Sequence, residues 1–132
     1  MTVVVGYVPA PVGEAALRYA ADEARRRGEP LIVLNTSRGD RVADPRLIPR
    51  EQVAELEASI GEDIDVKVCR AVDDKEPWEQ IVDTAEQTEA TVIVIGLRRR
   101  SSVGKMVLGS NAQRILMEAP CPVVTVKSLT GR

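Results

Sequence analysis

The segment between residues 96 and 111 concentrates the residues that could bind a phosphate. Four cations lie between its two flanking glycines, Gly96 and Gly109, namely Arg98, Arg99, Arg100 and Lys105. Guanidinium and ammonium groups form charge-assisted hydrogen bonds to phosphate oxygens. Ser110 and Asn111 then open a helical pattern, and the amides at a helix N-terminus attract anions. These residues predict an anion site, although a solvated loop followed by an ordinary helix cap would leave the same pattern.

Two common nucleotide motifs are not matched in the chain. Gly104-Lys105 resembles the end of a P-loop, but Arg99 stands where its first glycine belongs and Met106 follows the lysine. A dinucleotide-binding fingerprint should follow the first strand, where the chain has Val8-Pro9-Ala10-Pro11 instead. Any nucleotide site would therefore be of another type.

The remaining reactive side chains do not predict an enzyme. The sequence has no histidine, which removes the usual general base near neutral pH and the commonest metal ligand. Asp73 and Asp74 are adjacent in a loop, an arrangement typical of solvent-facing acids. Cys69 and Cys121 are far apart and predict buried free thiols in place of a zinc or disulfide pair. We expect no catalytic residue and no metal ligand.

Strand and helix patterns alternate along the chain, and these elements must position the loop. Five apolar runs predict strands at Val3–Val8, Leu31–Leu34, Ile64–Val68, Thr91–Ile95 and Pro122–Val126. Helical periodicity predicts three helices, one ending at Gly28, one beginning at about Arg50 and one beginning at Pro77. A fourth helix is predicted to begin with a capping box at Ser110-Asn111-Ala112-Gln113. Its inward-facing residues would be Ile115, Leu116 and Ala119.

This alternation predicts an α/β fold, a single doubly wound domain over residues 1–132 with a five-stranded parallel sheet and helices on both faces. The first and fourth strands are the most apolar and the third alternates with polar residues, which favours the order 3-2-1-4-5. Ligands of such sheets bind at the carboxyl ends of the strands where the order reverses. The loops of interest are therefore Tyr7–Val12 and Gly96–Gly109.

The composition of the chain limits the classes of partner that we expect for it. The 132 residues are 44% hydrophobic and 29% charged, with a net charge of −2 that gives no overall attraction to nucleic acid or anionic membranes. No apolar run approaches the roughly 20 residues of a membrane span, and Met1 leads to Val3 without a basic leader. We expect a cytoplasmic protein with no membrane and no nucleic-acid partner.

The loop spacing resembles the motif of the universal stress protein family: Gly, two residues, Gly, nine residues, Gly, then Ser or Thr. Gly96, Arg99, Gly109 and Ser110 occupy those positions. Similarity extends over the chain, including Val-Ile-Val-Ile-Gly, Val-Leu-Gly-Ser and Ala-Pro-Cys-Pro-Val-Val. The resemblance implies a small cytosolic regulatory protein of the stress response, a homodimer through its last strand, Pro122–Val126. It also implies an adenine nucleotide, ATP or AMP, with Mg²⁺ accompanying ATP.

The resemblance also implies which residues bind the nucleotide. They are Tyr7, Val8, Pro9, Thr36, Gly96, Leu97, Arg98, Arg99, Gly109, Ser110 and Asn111. Two positions depart from the ATP-binding pattern: Val8 stands where such members carry Asp, and Arg99 replaces the second glycine. An apolar side chain at position 8 cannot accept a hydrogen bond from a ribose hydroxyl.

Three functions remain open at this point. The first is a regulatory module that binds an adenine nucleotide at the ends of strands one and four. The second is a dimeric interaction protein of the same fold that needs no nucleotide. The third is a slow ATP hydrolase or phosphotransferase that uses Lys105 and Mg²⁺.

Overall fold

The computed structural model describes residues 1–36, 47–71, 74–97 and 109–127. The strands are β1 (Val3–Tyr7), β2 (Leu31–Asn35), β3 (Val66–Cys69), β4 (Val92–Leu97) and β5 (Val123–Lys127). The helices are α1 (Pro11–Arg27), α2 (Val53–Ile60), α3 (Pro77–Gln87) and α4 (Ser110–Glu118), and a short 3₁₀ turn (Arg50–Gln52) leads into α2.

The sheet has the predicted order β3-β2-β1-β4-β5, and every pair of neighbouring strands is parallel. β1 lies at the centre, with Val3 facing Leu31 on one side and Val92 on the other. The predicted fold class is confirmed. The order reverses between β1 and β4, so the carboxyl ends of these two parallel strands lie side by side at one edge of the sheet.

Aliphatic side chains form the core on both faces of the sheet. Val3 and Val5 pack with the alanine-rich face of α1, and partly buried residues of α2 extend this cluster. Val4 points to the other face and packs with Ile81 of α3 and Ile115 of α4. Because successive strand residues alternate between faces, the continuous valine run of β1 supplies both clusters, as its lack of alternation predicted.

The ends of two helices follow their sequence signals. Gly28, just after α1, adopts a left-handed conformation with φ of 66° and donates its N–H to the Arg25 carbonyl. Pro77 occupies the first turn of α3, where its missing N–H costs nothing, and Glu76 and Glu79 complete a capping box.

Two predictions for α4 are wrong. Gly109 is the N-cap in an extended conformation and Ser110 is already helical, so the predicted capping box does not form and no side chain caps this helix. Leu116 is 44% exposed and does not face inward. Ile115 occupies the buried stripe instead, and the next residue is rotated about 100° away from it.

Cys69 and Cys121 are free thiols, as predicted, although each is only half-buried. Burial raises the pKa of the Cys121 thiol.

Candidate functional site

A cavity of about 160 Å³ lies at the carboxyl ends of β1 and β4. Its apolar wall is formed mainly by Val8, Val12, Ile81, Ile95, Leu97 and Ile115. Four glycines also line it, Gly6, Gly13, Gly96 and Gly109. Two polar side chains reach it, those of Thr36 and Asn111, and among the described residues no charged side chain lines it. The described wall therefore combines aliphatic side chains with backbone and side-chain polar groups and carries no charge, which suits a neutral group with both apolar and hydrogen-bonding parts.

The glycines allow backbone segments to approach each other closely. A Cβ atom on Gly13 would lie 1.8 Å from the Val8 carbonyl oxygen, so the first turn of α1 packs directly on the end of β1. A Cβ atom on Gly96 would lie 2.8 Å from Val12 Cγ2 and 2.9 Å from the Val12 carbonyl oxygen. Gly96 is thus required by contact between β4 and α1, a role that its position after a strand did not by itself reveal.

The end of the first strand contributes Val8 to the cavity wall and Tyr7 to the core. Val8 is 9% exposed and lines the cavity. Tyr7 packs in the α1 core cluster instead, and its hydroxyl donates to Glu14 Oε2 at 2.6 Å. Burial, together with this hydrogen bond to a carboxylate, raises the pKa of the Tyr7 phenol far above its usual range. Tyr7 therefore supports the site from beneath as a neutral residue.

The N-terminus of α4 forms the opposite rim. The first turn has no acidic residue and its N-cap makes no side-chain hydrogen bond, so within the described residues nothing offsets the positive end of the helix dipole. Asn111 Oδ1 accepts the Trp78 backbone N–H at 3.3 Å and so links α4 to the start of α3. Arg114 lies over the Trp78 ring with its guanidinium carbon 4.3 Å from the ring centroid. This rim combines free amides with a neighbouring cation.

The structure brings together part of the predicted site. Six predicted residues line the cavity, namely Val8, Thr36, Gly96, Leu97, Gly109 and Asn111. Ser110 lines a shallow depression next to it, beside Trp78 and Arg114. Tyr7 and the exposed Pro9 lie outside the lining. Arg98, Arg99, Arg100, Lys105 and Asp73 are not among the described residues.

Sequence reasoning missed eight of the fourteen residues that line the cavity. Gly6, Val12, Gly13, Pro77, Ile81, Ile95, Ala112 and Ile115 line the cavity without having been predicted as site residues. Most of them carry the same apolar periodicity as the core residues beside them, and that periodicity does not distinguish a filled space from an open one.

A metal site is not evident where the structure describes the chain: no group of three or more His, Cys, Asp or Glu residues comes together there. Within the same residues, no helix has the length and hydrophobicity needed to cross a membrane.

The parallel sheet, the order reversal and the cavity at its carboxyl edge define a doubly wound α/β protein of the kind that binds ligands at a topological switch point. A family model described as the universal stress protein family matches residues 1–127. The chain belongs to the universal stress protein family.

Individual relatives agree with this assignment. The chain is 38% identical over 128 residues to a universal stress protein of Mycolicibacterium smegmatis, a match that covers 95% of this chain and 96% of that protein. A universal stress protein structure from Archaeoglobus fulgidus is similar at 32% identity and a TM-score of 0.76, covering 96% of this chain and 98% of the other. Another from that organism, in complex with dAMP, matches at 30% identity and a TM-score of 0.71, with the same coverage.

Proposed function

We propose that this protein is a regulatory member of its family that binds an adenine nucleotide, ATP or AMP, in the crevice between β1 and β4. The observation that carries the proposal is the apolar cavity beside the uncapped N-terminus of α4. Its volume of about 160 Å³ is close to that of an engineered cavity of roughly 150 Å³ that holds benzene, so at least one ring of the base fits inside. The cavity is partly open, which leaves room for the rest of the base and directs the sugar and phosphates toward the opening.

The two chemical halves of a nucleotide have separate partners in this arrangement. Aliphatic walls and the polar side chains of Thr36 and Asn111 surround the base. The backbone amides at Gly109 and Ser110, at the positive end of α4, bind the phosphates. The charge of Arg98 and Arg99 would add to this end. The dAMP complex of the related Archaeoglobus fulgidus protein supports an adenine nucleotide as the ligand class.

We further propose that the nucleotide acts as a bound regulator in a cytoplasmic homodimer and that it is not turned over. Mg²⁺ would accompany ATP through the phosphates. The alternative hypothesis, a slow ATP hydrolase, predicts that phosphate is released from ATP in the presence of Mg²⁺. A malachite green assay detects this release. Steady phosphate release that Lys105→Met abolishes would replace the binding role by an enzymatic one.

The direct test is mass spectrometry of the small molecules released when the purified protein is denatured, followed by calorimetric titration with AMP, ATP and GTP. We expect an adenine nucleotide in the released fraction and a preference for adenine over guanine. Gly109→Val should abolish binding, because its side chain would block approach to the amides of α4. A folded protein that releases no nucleotide and shows no heat with millimolar ATP would favour the nucleotide-independent interaction protein.

A further inference from the structure

A chain of hydrogen bonds runs along the carboxyl edge of the sheet, next to the cavity. Gln80 Nε2 donates to the Arg70 carbonyl at 3.2 Å, and Arg70 Nε donates to the Ile48 carbonyl at 2.9 Å. The Ile48 N–H donates to Asn35 Oδ1 at 2.8 Å. Asn35 Nδ2 in turn donates to the Tyr7 carbonyl at 3.1 Å. These bonds connect α3 to the ends of β3, β2 and β1, and we call them the edge network.

The edge network is built mostly from buried groups. Asn35 is fully buried, while Ile48 and Gln80 are 6% and 9% exposed. A buried polar side chain is costly to leave without partners, so these bonds define one arrangement of the segments that they join. Asn35 satisfies a donor on one segment and an acceptor on another, which orients the segment at Ile48 relative to β1.

Three residues of the edge network are adjacent in sequence to residues of the cavity wall. The pairs are Tyr7 with Val8, Asn35 with Thr36, and Gln80 with Ile81. Thr36 is also held directly, since its backbone N–H donates to the same Tyr7 carbonyl at 3.0 Å. A shift of Tyr7, Asn35 or Gln80 would therefore act directly on a wall residue, although none of the network residues lines the cavity itself.

We propose that the edge network shapes the cavity for its ligand and that Arg70 and Asn35 are positioning residues for nucleotide binding. This inference rests on the proposed function for the identity of the ligand, but the shaping itself is a property of the free protein. Preorganisation of this kind raises affinity because the protein does not have to order its wall when the ligand arrives.

Arg70 offers the sharpest test because it is only half-buried and reaches the network through its side-chain donor. Arg70→Met keeps much of the aliphatic stem and removes the donor. Arg25→Met is the matched control, since Arg25 also bonds across elements, to the Ile60 carbonyl and to Asp63, but these bonds do not lead to residues beside the cavity wall. Arg70→Lys keeps a donor and should recover part of any loss.

Two measurements decide the inference. In the ligand-free protein, amide hydrogen exchange at Ile48 and Thr36 should accelerate in Arg70→Met and stay unchanged in Arg25→Met. Affinity for adenosine and for AMP should fall by the same factor, about three- to tenfold, because the wall holds the base and not the phosphate. A role in stability alone would leave both affinities unchanged once the folded fraction is taken into account.

The outcomes separate this inference from the proposed function. If the parent protein binds no adenosine or AMP, the proposed function fails, and faster exchange at Thr36 in Arg70→Met would still support the shaping of the cavity. If the parent binds AMP but Arg70→Met leaves both affinity and exchange unchanged, the proposed function stands and the edge network has no positioning role.

Discussion

Val8 places an apolar side chain in the cavity wall directly after β1, the position at which the family resemblance implies an aspartate in ATP-binding members. Neither methyl group can accept a hydrogen bond from a ribose hydroxyl. Because an open cavity lies beside this side chain, a carboxylate could be accommodated there without being sealed away from water.

We expect Val8→Asp to fold normally and to bind ATP about tenfold more tightly, since a hydrogen bond to a charged acceptor contributes roughly 1.5–3 kcal/mol. For a 2′-deoxy nucleotide, which lacks one of the ribose hydroxyls, Val8→Asp should raise the affinity by a smaller factor. Calorimetric titration measures both affinities, and Val8→Thr serves as a control of similar shape. A folded Val8→Asp protein with the parent's affinity would show that the missing carboxylate does not limit binding.

Gly13 and Gly28 are glycines for different reasons, a close contact at Gly13 and a left-handed backbone conformation at Gly28. A methyl group at position 13 would overlap the Val8 carbonyl oxygen at 1.8 Å, whereas nothing lies within 4 Å of one at position 28. A substitution of Gly28 would therefore lower the free energy of unfolding only because of the left-handed φ of 66° at this position.

Gly13→Ala should lower the free energy of unfolding by at least about 3 kcal/mol, because the backbone of β1 and α1 must separate. Gly28→Ala should cost about 1–2 kcal/mol, the usual penalty for a left-handed residue with a Cβ atom. Urea denaturation measures both values. Equal costs for the two substitutions would mean that α1 can move away from β1 without penalty.

At the scale of elements, the C-terminal turn of α1 is held by a glutamate within the same helix. Glu23 Oε2 accepts from Arg26 Nη2 at 2.5 Å and from Arg27 Nε at 2.8 Å, and the Glu23 side chain is 10% exposed. The hydrogen bonds from Arg26 and Arg27 lower the pKa of the Glu23 carboxyl below its ordinary value of 4.5. Arg26 and Arg27 thus stabilise the end of α1 through Glu23, whereas Arg25 bonds to Asp63 and to the Ile60 carbonyl outside the helix.

A lowered pKa in the folded state makes stability depend on pH in the acid range. The contribution of Glu23 is complete above its ordinary pKa and is lost as the pH falls through its lowered value in the folded protein. We expect Glu23→Gln to unfold at lower urea concentration than the parent at pH 7, with the difference shrinking as the solution is acidified. The exposed Glu86, which has no ion pair among the described residues, supplies the control Glu86→Gln. A difference that stays constant with pH would contradict the assignment.

At the scale of the whole molecule, β5 leaves one edge of the sheet open. The Ile93 N–H donates to the Pro122 carbonyl, and the strands are parallel, so alternate residues of β5 direct their backbone groups away from β4. These residues are Val123, Thr125 and Lys127. The valines of β5 are only half-buried, and in the part of the chain that the structure describes no other strand pairs with the outward backbone groups of β5.

We expect this edge to pair with a second copy of the chain. Thr125→Pro removes an outward N–H without removing a bond to β4 and should convert the dimer into a monomer, whereas Thr125→Val keeps the N–H and should remain dimeric. Sedimentation velocity at tens of micromolar protein, by order of magnitude the range for a specific dimer, measures both variants. A monomeric parent protein at that concentration would rule out this dimer.

Local sequence determined the order of the elements and several helix ends, whereas most predicted strand ends are one or two residues away from those of the structure. The unbroken aliphatic runs of β1 and β4 required burial on both faces, which placed these strands in the interior of a parallel sheet and located the order reversal between them. Gly28 and Pro77 marked helix ends because a left-handed residue favours glycine and a missing N–H is tolerated only in the first turn.

Tertiary structure decided where space remained and which segments touch. Ile81 and Ile115 have the periodicity of core residues, yet they line a cavity at the carboxyl ends of β1 and β4, where the pairing of these strands has stopped at Val5 and Val94. Tertiary contacts also explain why glycine is needed at positions 13 and 96. Gly13 of α1 lies against the Val8 carbonyl after β1, and Gly96 of β4 lies against Val12 of α1. Periodicity records which face of an element avoids water, and it carries no information on whether the opposing surface fills the volume in front of it.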